Sequence, residues 1–587
     1  MNLSEKKLLL GNAAVARGLY ESGCGFVSSY PGTPSTEISE EAAKYDEIYA
    51  EWAPNEKVAL EAAFGASLAG VRSFAAMKHV GMNVAADPLF TMAYTGVNAG
   101  LIVAVADDMG MHSSQNEQDS RHYAASAKVP MLEPADSSEC LAYVRAAYEI
   151  SEQFDTPVML RLSTRIAHSR SLVETHPREE QQRRPYEKNP QKYVMMPANA
   201  RGRHVFVEER MDALAEMAES SSLNQVIPGS TKIGVIASGI AFCYAREAFG
   251  DDASYLKLGM IHPLPEKMIR DFAASVDRLI VIEELDDVFE TQIRKLGIAC
   301  EGKALFSKIG EYSAEAIRKA VYGEQTEGYH LESAVPGRPP VLCPGCPHRG
   351  VFYVLSKLKV MVSGDIGCYT LGALPPLAAL DTTLCMGASI SGLHGFVKAS
   401  GGQAAKNSVA VIGDSTFIHS GITGLINIVY NQSNATVMIL DNSITGMTGH
   451  QQNPCTGLTL KNTPAYAVDL EALCHAVGVQ RVSVVDPFDI EQLETVVKTE
   501  LAADEPSVII VRRPCALLKK VQHHEPLHID AERCRRCKAC MKIGCPAISF
   551  DAEKGATIDF SLCTGCGLCE KLCKFGAIEG VEERKDR

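Results

Sequence analysis

Two segments near the end of the chain read ERCRRCKACMKIGCP (residues 532–546) and SLCTGCGLCEKLCK (residues 561–574). Each contains four cysteines, and two residues separate the first cysteine from the second and the second from the third. This spacing lets the thiolates of one tight turn reach the same cube of iron and sulfide. It predicts two 4Fe-4S clusters and electron transfer in single steps, with disulfides and structural zinc as the alternatives.

The two cysteine sets follow the pattern of two-cluster bacterial ferredoxins, in which the fourth cysteine of each set ligates the other cluster. The expected ligand groups are Cys534, Cys537, Cys540 and Cys573 for one cluster, and Cys563, Cys566, Cys569 and Cys545 for the other. Two details depart from that pattern, namely four residues before Cys545 where three are usual, and Lys574 in place of proline. The longer loop is expected to alter the solvent access and potential of the first cluster.

Bulk composition limits the classes of function. The chain has 587 residues, 46% of them hydrophobic, which is enough for several domains with separate cores. The net charge of −14 argues against a nucleic-acid partner or an anionic membrane. No apolar run approaches the length of a membrane span, and Leu8–Leu10 is too short for a signal-peptide core. Nineteen cysteines without a secretion signal indicate a soluble, cytoplasmic protein of an anaerobic or oxygen-poor environment.

Changes in composition suggest the domain boundaries. Residues 1–195 alternate short apolar runs with alanine-rich helical stretches, which favours βαβ units and a parallel sheet. Residues 170–230 are polar and charged, and we interpret 196–230 as a linker. A compact α/β region is predicted for 231–330, and Pro336–Pro340 marks the next boundary. Further domains are predicted at 341–520 and 525–587.

A second informative pattern lies between residues 408 and 442. The strand run 408–413 ends at Asp414, a helix is predicted from Ile418 to Asn431, and the next strand run ends at Asp441-Asn442. If the strands are neighbours, Asp414 and Asn442 emerge side by side, since ligands gather at the carboxyl ends of parallel strands. Their oxygen atoms suit Mg²⁺ and a bound diphosphate. Ordinary polar strand ends are the alternative.

Two features of the first region have local explanations. Tyr30-Pro31-Gly32-Thr33-Pro34 leads into a helix, and a strand-to-helix connection capped by serine or threonine accounts for it. Asn55 is predicted to cap a second helix, with Glu56 in the first turn, where the helix dipole favours a carboxylate.

Gly413-Asp414-Ser415 followed by Asp441-Asn442 resembles the thiamine diphosphate fingerprint, usually Gly-Asp-Gly and Asn-Asn. Together with the Tyr30–Pro34 loop, Glu56, Cys343-Pro-Gly-Cys346 and the tandem cysteine sets, it makes the chain resemble the 2-oxoacid:ferredoxin oxidoreductases. The terminal ferredoxin unit, the lack of a separate γ-type domain and Pro347-His348-Arg349, where pyruvate-type relatives have glycine, favour the large (α) subunits of the indolepyruvate branch.

This resemblance implies a fold with two doubly wound thiamine diphosphate-binding domains. Residues 1–195 would bind the pyrimidine ring, and residues 341–520 the diphosphate and Mg²⁺. Residues 231–330 would form a transketolase-C-terminal-like α/β domain, and residues 525–587 a two-cluster ferredoxin domain.

The resemblance also implies roles for single residues. Glu56 would hydrogen-bond the aminopyrimidine ring, with Glu61 as the rival acid, and Thr33 would lie near the substrate carboxylate. The side chains of Asp414 and Asn442 and the carbonyl of Ile444 would hold Mg²⁺. Gly387, Gly413 and Ser415 would lie beside the diphosphate.

The implied reaction converts indolepyruvate, coenzyme A and two oxidised ferredoxins into indole-3-acetyl-CoA, CO₂ and two reduced ferredoxins. Phenylpyruvate or hydroxyphenylpyruvate could serve equally well. A smaller β subunit and an (αβ)2 assembly are expected, with an external ferredoxin as acceptor. A non-oxidative decarboxylase or carboligase, a pyruvate-type enzyme and a pure electron-transfer or scaffold protein are the alternatives.

A third cluster is a further possibility implied by the resemblance. The cysteines in question are Cys343, Cys346, Cys368 and Cys515, which are equally well explained as buried structural thiols. The other cysteines outside the tandem sets, among them Cys385, are interpreted as core residues.

Overall fold

The structure is a computed structural model that describes residues 5–324 and 339–580. It consists of two compact units, which divide between residues 332 and 333. Most of the predicted Pro336–Pro340 boundary lies outside the described residues, as do positions 1–4, 325–330 and 581–587 of the predicted domains. None of the helices in the described part is long and apolar enough to cross a membrane.

The first unit alternates strands and helices. Its strands are β1 Glu5–Leu10, β2 Phe26–Ser29, β3 Tyr49–Trp52, β4 Ser73–Lys78, β5 Leu101–Asp107, β6 Met131–Leu132, β7 Val158–Ser163, β8 Arg170–Thr175, β9 Gln225–Ile227, β10 Gly234–Ser238, β11 Ser254–Leu258, β12 Met260–His262 and β13 Leu279–Ile282. Its helices are α1 Gly11–Glu21, α2 Thr36–Ala42, α3 Glu56–Leu68, α4 His79–Thr95, α5 Arg121–Ala127, α6 Ser137–Phe154, α7 Thr164–His168, α8 Pro190–Tyr193, α9 Pro197–Ser220, α10 Gly239–Phe249, α11 Glu266–Ala274, α12 Val288–Lys295 and α13 Ala314–Tyr322.

The main sheet of this unit has seven strands in the order β12-β6-β7-β5-β4-β2-β3. All neighbours are parallel except β12, which runs antiparallel to β6. The predicted α/β class with a parallel sheet is therefore confirmed. A second sheet has the order β13-β10-β11-β9. Because β12 belongs to the predicted 231–330 domain but pairs with β6, the two predicted domains share one sheet and one core.

The predicted linker differs from the structure. Most of 196–230 is the long helix α9, whose buried residues are Val207, Arg210, Leu214 and Ala218. These positions follow a spacing of three to four residues and form one face, which packs against α4 and α11. The charged residues on the other faces gave the segment its linker-like composition.

The second unit contains a purely parallel sheet and a smaller terminal part. Its strands are β14 Met361–Ser363, β15 Ser408–Gly413, β16 Thr436–Asp441, β17 Arg481–Val485, β18 Ser507–Arg512, β19 Leu527–Ile529, β20 Ile548–Asp551, β21 Gly555–Ile558 and β22 Ile578–Gly580. Its helices are α14 His348–Leu358, α15 Ala388–Ala399, α16 Asp414–Thr416, α17 Ile422–Tyr430, α18 Leu470–Ala476, α19 Ile490–Leu501 and α20 Leu568–Lys571.

The five-stranded sheet has the order β14-β15-β16-β18-β17, and β15 and β16 are buried along their whole length. The terminal part forms the antiparallel pairs β19–β22 and β20–β21. Its apolar side chains join the core beneath the large sheet, so that Val411 of β15 and Ile543 belong to one hydrophobic cluster. The predicted domains 341–520 and 525–587 thus share a core.

Candidate functional site

Thr33 and Glu56 lie at the same edge of the seven-stranded sheet. Thr33 follows β2, Glu56 follows β3, and these strands are parallel neighbours. The hydroxyl of Ser113 donates a hydrogen bond to the carbonyl of Thr33 at 3.3 Å. The expected serine cap in this loop is not formed, because the Ser35 hydroxyl donates to the carbonyl of Gly32 at 2.9 Å. That bond tightens the turn that carries Thr33.

Glu56 is buried, with 4% of its surface exposed, at the first position of α3. Asn55 caps the helix as predicted, since its side-chain oxygen accepts a hydrogen bond from the Val58 N–H at 2.9 Å. The rival acid, Glu61, is exposed on the same helix and pairs with Lys57. Burial therefore distinguishes Glu56 from Glu61 as the candidate, a distinction that the local sequence alone did not provide.

Sequence reasoning missed Lys78, which ends β4 at this edge and whose side chain lies against Gly32. Its ammonium group donates to the Ser113 carbonyl at 3.0 Å. Burial lowers the pKa of Lys78, and the nearby carboxylates of Asp108 and Glu56 oppose that shift. A lysine placed directly between a strand run and a helix was the signal that could have identified it.

Asp414 and Asn442 lie at the carboxyl ends of β15 and β16, which are parallel neighbours. Asp414 is 2% exposed. Burial and then repulsion by Asp441 raise its pKa to about 7, while a hydrogen bond from the Asn453 amide at 3.2 Å opposes the rise. A cation would offset both unfavourable effects, so the site fits a divalent metal. Asn453, in a loop far along the chain, was not predicted.

The other residues of the predicted diphosphate site surround these strand ends. The Asn442 amide oxygen accepts a hydrogen bond from the N–H of Ile444 at 3.3 Å. Ser415 accepts one from the hydroxyl of Thr445 at 2.9 Å. Gly387 has φ +86° at the start of α15, and a Cβ there would lie 2.7 Å from the Ser420 Cβ. Gly413 is the last residue of β15.

The helix predicted from Ile418 to Asn431 begins earlier and is interrupted. It starts as α16 at Asp414, continues as the π-helical turn Phe417–Gly421 and resumes as α17. A π-helical turn is common next to functional sites, because the extra residue redirects neighbouring groups.

The eight tandem cysteines line two separate cavities. One is bordered by Cys534, Cys537, Cys540 and Cys573, and the other by Cys545, Cys563, Cys566 and Cys569. All 19 cysteines are free of disulfides. Burial raises the pKa of Cys540, and the thiols that add to the rise are Cys534, Cys537 and Cys573. The structure therefore brings together the same groups of four that the spacing pairs.

Backbone N–H groups point at two of these sulfurs. Leu527 donates to the Cys563 sulfur at 3.4 Å, and Ala577 donates to the Cys573 sulfur at 3.3 Å. Hydrogen bonds of this kind stabilise thiolates and raise the potential of a cluster that they hold. Cavities lined by four thiols with such donors fit iron–sulfur clusters.

Cys343, Cys346, Cys368 and Cys515 also come together. Burial raises the pKa of Cys346 to about 12, and Cys343 and Cys368 contribute. Burial likewise raises the pKa of Cys368 to about 11, with contributions from Cys515 and Cys343. By contrast, Cys385 is exposed, which contradicts its assignment as a core residue, because it lies in the loop before α15.

Three family models match the chain. Residues 17–225 match "Pyruvate flavodoxin/ferredoxin oxidoreductase, thiamine diP-bdg", residues 365–511 match "Thiamine pyrophosphate enzyme, C-terminal TPP binding domain", and residues 556–579 match "4Fe-4S binding domain". The fold, the two sites and these matches define a thiamine diphosphate- and iron–sulfur-binding oxidoreductase subunit.

Relatives of similar length narrow this class. The indolepyruvate oxidoreductase subunit IorA of Archaeoglobus fulgidus is 39% identical, over 98% of this chain and 97% of that protein. IorA of Pyrococcus horikoshii is 40% identical, over 99% and 97%. The chain therefore belongs to the IorA family of indolepyruvate oxidoreductase subunits. The resemblance to the α subunits of this family, which the sequence motifs indicated, is confirmed.

More distant similarities cover part of the chain. The 2-oxoglutarate synthase subunit KorA of Methanothermobacter thermautotrophicus is 25% identical over 52% of this chain and 95% of that protein. A solved 2-oxoglutarate:ferredoxin oxidoreductase from Magnetococcus marinus aligns with 54% of this chain and 65% of that one, with 18% identity and a TM-score of 0.46.

Proposed function

We propose that the chain is the catalytic subunit for oxidative decarboxylation of aromatic 2-oxo acids, with indolepyruvate as the substrate. Coenzyme A and two oxidised ferredoxins are consumed, and indole-3-acetyl-CoA, CO₂ and two reduced ferredoxins are formed. Ferredoxin-dependent oxidation of a 2-oxo acid follows from the family. The aromatic substrate rests on the names of these relatives.

A continuous series of contacts in the second unit carries the proposal. The Cys515 N–H donates to the Asn442 carbonyl at 2.9 Å, so the strand end of the predicted metal site touches the Cys343–Cys515 group. In the Cys343–Cys346 turn, a Cβ on Gly345 would lie 2.6 Å from the Thr564 hydroxyl, between two tandem cysteines. Cysteine thiols thus extend from Asn442 to the ferredoxin-like segment. This arrangement supports oxidation of the 2-oxo acid with iron–sulfur clusters of the same chain as the first electron acceptors.

In this proposal Asp414, Asn442 and the Ile444 carbonyl hold Mg²⁺, and Gly387, Gly413 and Ser415 lie beside the diphosphate. The raised pKa of Asp414 supports the assignment, because a buried carboxylate next to Asp441 is stabilised by a cation. When bound, thiamine diphosphate supplies the nucleophilic carbon and the electron sink for decarboxylation.

Glu56 would hydrogen-bond the aminopyrimidine ring of the bound cofactor, and its carboxyl would hold a proton there. Its burial supports this role, since a carboxyl shielded from water interacts strongly with a ring nitrogen. Thr33, in the tight turn after β2, orients the carboxylate of the substrate. Thr33 and Glu56 follow neighbouring parallel strands, β2 and β3, and so lie at the same edge of the sheet.

The tandem cysteines hold two 4Fe-4S clusters, and Cys343, Cys346, Cys368 and Cys515 hold a third. The mutual effects of these four thiols on their pKa values support the third site over four unrelated core thiols. These four cysteines lie between Asn442, at the proposed cofactor site, and Thr564, in the second tandem set. A cluster held there would be the first electron acceptor next to the cofactor.

Electrons leave to an external ferredoxin near Cys537, the one exposed member of the eight tandem cysteines. The neighbouring side chains of Arg535, Arg536 and Lys538 are exposed as well and attract an acidic carrier. A smaller β subunit completes the enzyme in an (αβ)2 assembly. The cytoplasm is the proposed location, since 19 cysteines without a disulfide are typical of a reducing compartment.

The test uses the complex of this chain with its β subunit, purified without oxygen and supplied with coenzyme A and ferredoxin. Indolepyruvate, pyruvate and 2-oxoglutarate are compared by ferredoxin reduction and acyl-CoA formation. Fastest turnover with indolepyruvate supports the proposal. Preference for pyruvate assigns the chain to another branch, and CO₂ release without ferredoxin reduction identifies a non-oxidative decarboxylase.

A further inference from the structure

Arg349 is a buried guanidinium near the start of α14, with 2% of its surface exposed. Its Nε donates to the Cys343 carbonyl at 3.0 Å and its Nη1 to the Ile543 carbonyl at 3.1 Å. It also donates to the carbonyls of Leu342 and Gly544. One side chain therefore joins the Cys343–Cys346 turn to the turn that precedes Cys545.

The charge of Arg349 is poorly compensated by the protein. Within residues 5–324 and 339–580 no carboxylate forms an ion pair with it, whereas buried Arg121 and Arg161 of the first unit each pair with two or more carboxylates. Its position in the first turn of α14 is also unfavourable, because a helix N-terminus repels cations. A buried cation in such a position needs negative charge from another source.

Cysteines of two groups lie near this cation, because Arg349 donates hydrogen bonds to the carbonyl of Cys343 and to that of Gly544, which precedes Cys545. Its electrostatic partners are Cys545, Cys346, Cys343 and Cys566, which come from the candidate third site and from the second tandem cavity. A 4Fe-4S cluster held by four thiolates is negatively charged, and its negative charge increases on reduction. Clusters on both sides would supply the missing counter-charge, and the guanidinium would in turn stabilise their reduced forms.

We propose that Arg349 is a positioning residue for electron transfer between these two sites. It fixes the Cys343–Cys346 turn against the Ile543–Gly544 turn, and its fixed charge raises the reduction potentials of the clusters on either side. The inference rests on the proposed iron–sulfur function. In that step, one electron would pass from a cluster held by the Cys343 group to a cluster held by Cys545, Cys563, Cys566 and Cys569. The guanidinium keeps its protons, so no proton has to move with the electron.

The experiment compares wild type, Arg349→Met and Arg349→Lys in the full chain with its β subunit, all reconstituted with iron and sulfide without oxygen. Iron content is measured first, and the midpoint potentials are then obtained by redox titration followed by electron paramagnetic resonance. If the reconstituted wild-type complex contains no iron, the proposed function itself is contradicted, and not only this inference.

We expect R349M to keep its iron but to lower the potentials of the clusters next to Arg349, because their reduced forms lose a stabilising cation. R349K should lie between R349M and wild type, because lysine keeps the charge but cannot span the same four carbonyls. Arg533→Met is the matched control. Arg533 precedes Cys534, but it is half-buried and paired with Asp530 and Glu579, so solvent screens its charge and its removal should shift the potentials less than R349M does.

Unchanged potentials in R349M with full iron content would overturn the proposal. If R349M loses iron, R349K distinguishes a role of the positive charge from a role in packing. Iron retention and near-wild-type potentials in R349K would show that the clusters require a positive charge at position 349. Loss of iron in both variants would assign Arg349 to packing alone and overturn its electrostatic role.

Discussion

At the scale of single residues, burial distinguishes Glu56 from Glu61 on the same helix. We expect Glu56→Gln to slow substrate-dependent ferredoxin reduction by about 10²–10⁴-fold, because the amide cannot exchange a proton with the cofactor ring. Glu61→Gln is the matched control and should leave the rate unchanged, since Glu61 only pairs with Lys57 at the surface. Equal losses in the two variants would contradict the role of Glu56.

Glu284 provides a pH-dependent prediction in the first unit. It is 5% exposed, and burial raises its pKa from 4.5 to about 7, although the Tyr312 N–H and Arg161 oppose the rise. The folded state therefore binds a proton more tightly than the unfolded state. The resulting stabilisation is complete below about pH 4.5 and is lost as the pH rises through about 7.

Glu284→Gln should remove this dependence, because the amide does not titrate. From pH 5 to pH 8, the free energy of unfolding of the wild type should fall by on the order of 3 kcal/mol more than that of E284Q. Thermal unfolding of both chains across this pH range measures the difference. A constant difference in melting temperature would show that Glu284 does not bind a proton in the folded state at pH 5.

Where a motif fixes the spacing, the sequence indicates which residues the structure brings together. The groups of four tandem cysteines can be paired from their gaps, and Asn55 can be recognised as a cap because a cap acts within one turn. Lys78, Asn453 and Arg349 could not be found in this way. Each acquires its surroundings from segments far away in the chain, as when Arg349 reaches Gly544.

At the scale of elements, α9 shows how charge conceals a helix. Leu214 lies fully buried on its inner face. We expect Leu214→Ala to reduce the free energy of unfolding by about 2–5 kcal/mol, as for other buried leucines. Glu216→Ala on the exposed side should have little effect. Denaturant unfolding of the two variants is the measurement, and equal stability would restore the interpretation of this segment as a linker.

The terminal segment is also less separable than its sequence indicates. Its residues Ile543, Leu568 and Cys569 are part of the core that contains β15. Removal of the segment would expose that core, so loss of activity in a truncated chain would not isolate electron transfer. Single cysteine replacements avoid the problem.

Cys566→Ala should reduce the iron content by about four atoms per chain, because one 4Fe-4S cluster loses a ligand. The matched control is Cys474→Ala, which replaces a buried thiol outside any group of four and should leave the iron unchanged. Iron and sulfide analysis of the purified variants gives the result. Full iron content in C566A would remove Cys566 from the ligand set.

At the scale of the whole molecule, strand runs and helical stretches were sufficient to predict the α/β class and the parallel sheets, and the cysteine spacing was sufficient to predict the ferredoxin-like terminus. They did not show that the predicted domains of each unit share a sheet or a hydrophobic core. Pairing of β12 with β6 and the shared core of the second unit are long-range contacts, and local composition does not encode them.

In the proposed function, one chain both decarboxylates a 2-oxo acid and accepts the electrons released by its oxidation. This function is tested most directly by mixing the oxygen-free complex with indolepyruvate, with and without coenzyme A, and following the visible absorbance of the clusters. We expect bleaching on addition of substrate, and acyl-CoA formation once coenzyme A and ferredoxin are present. Release of CO₂ with no bleaching would contradict it.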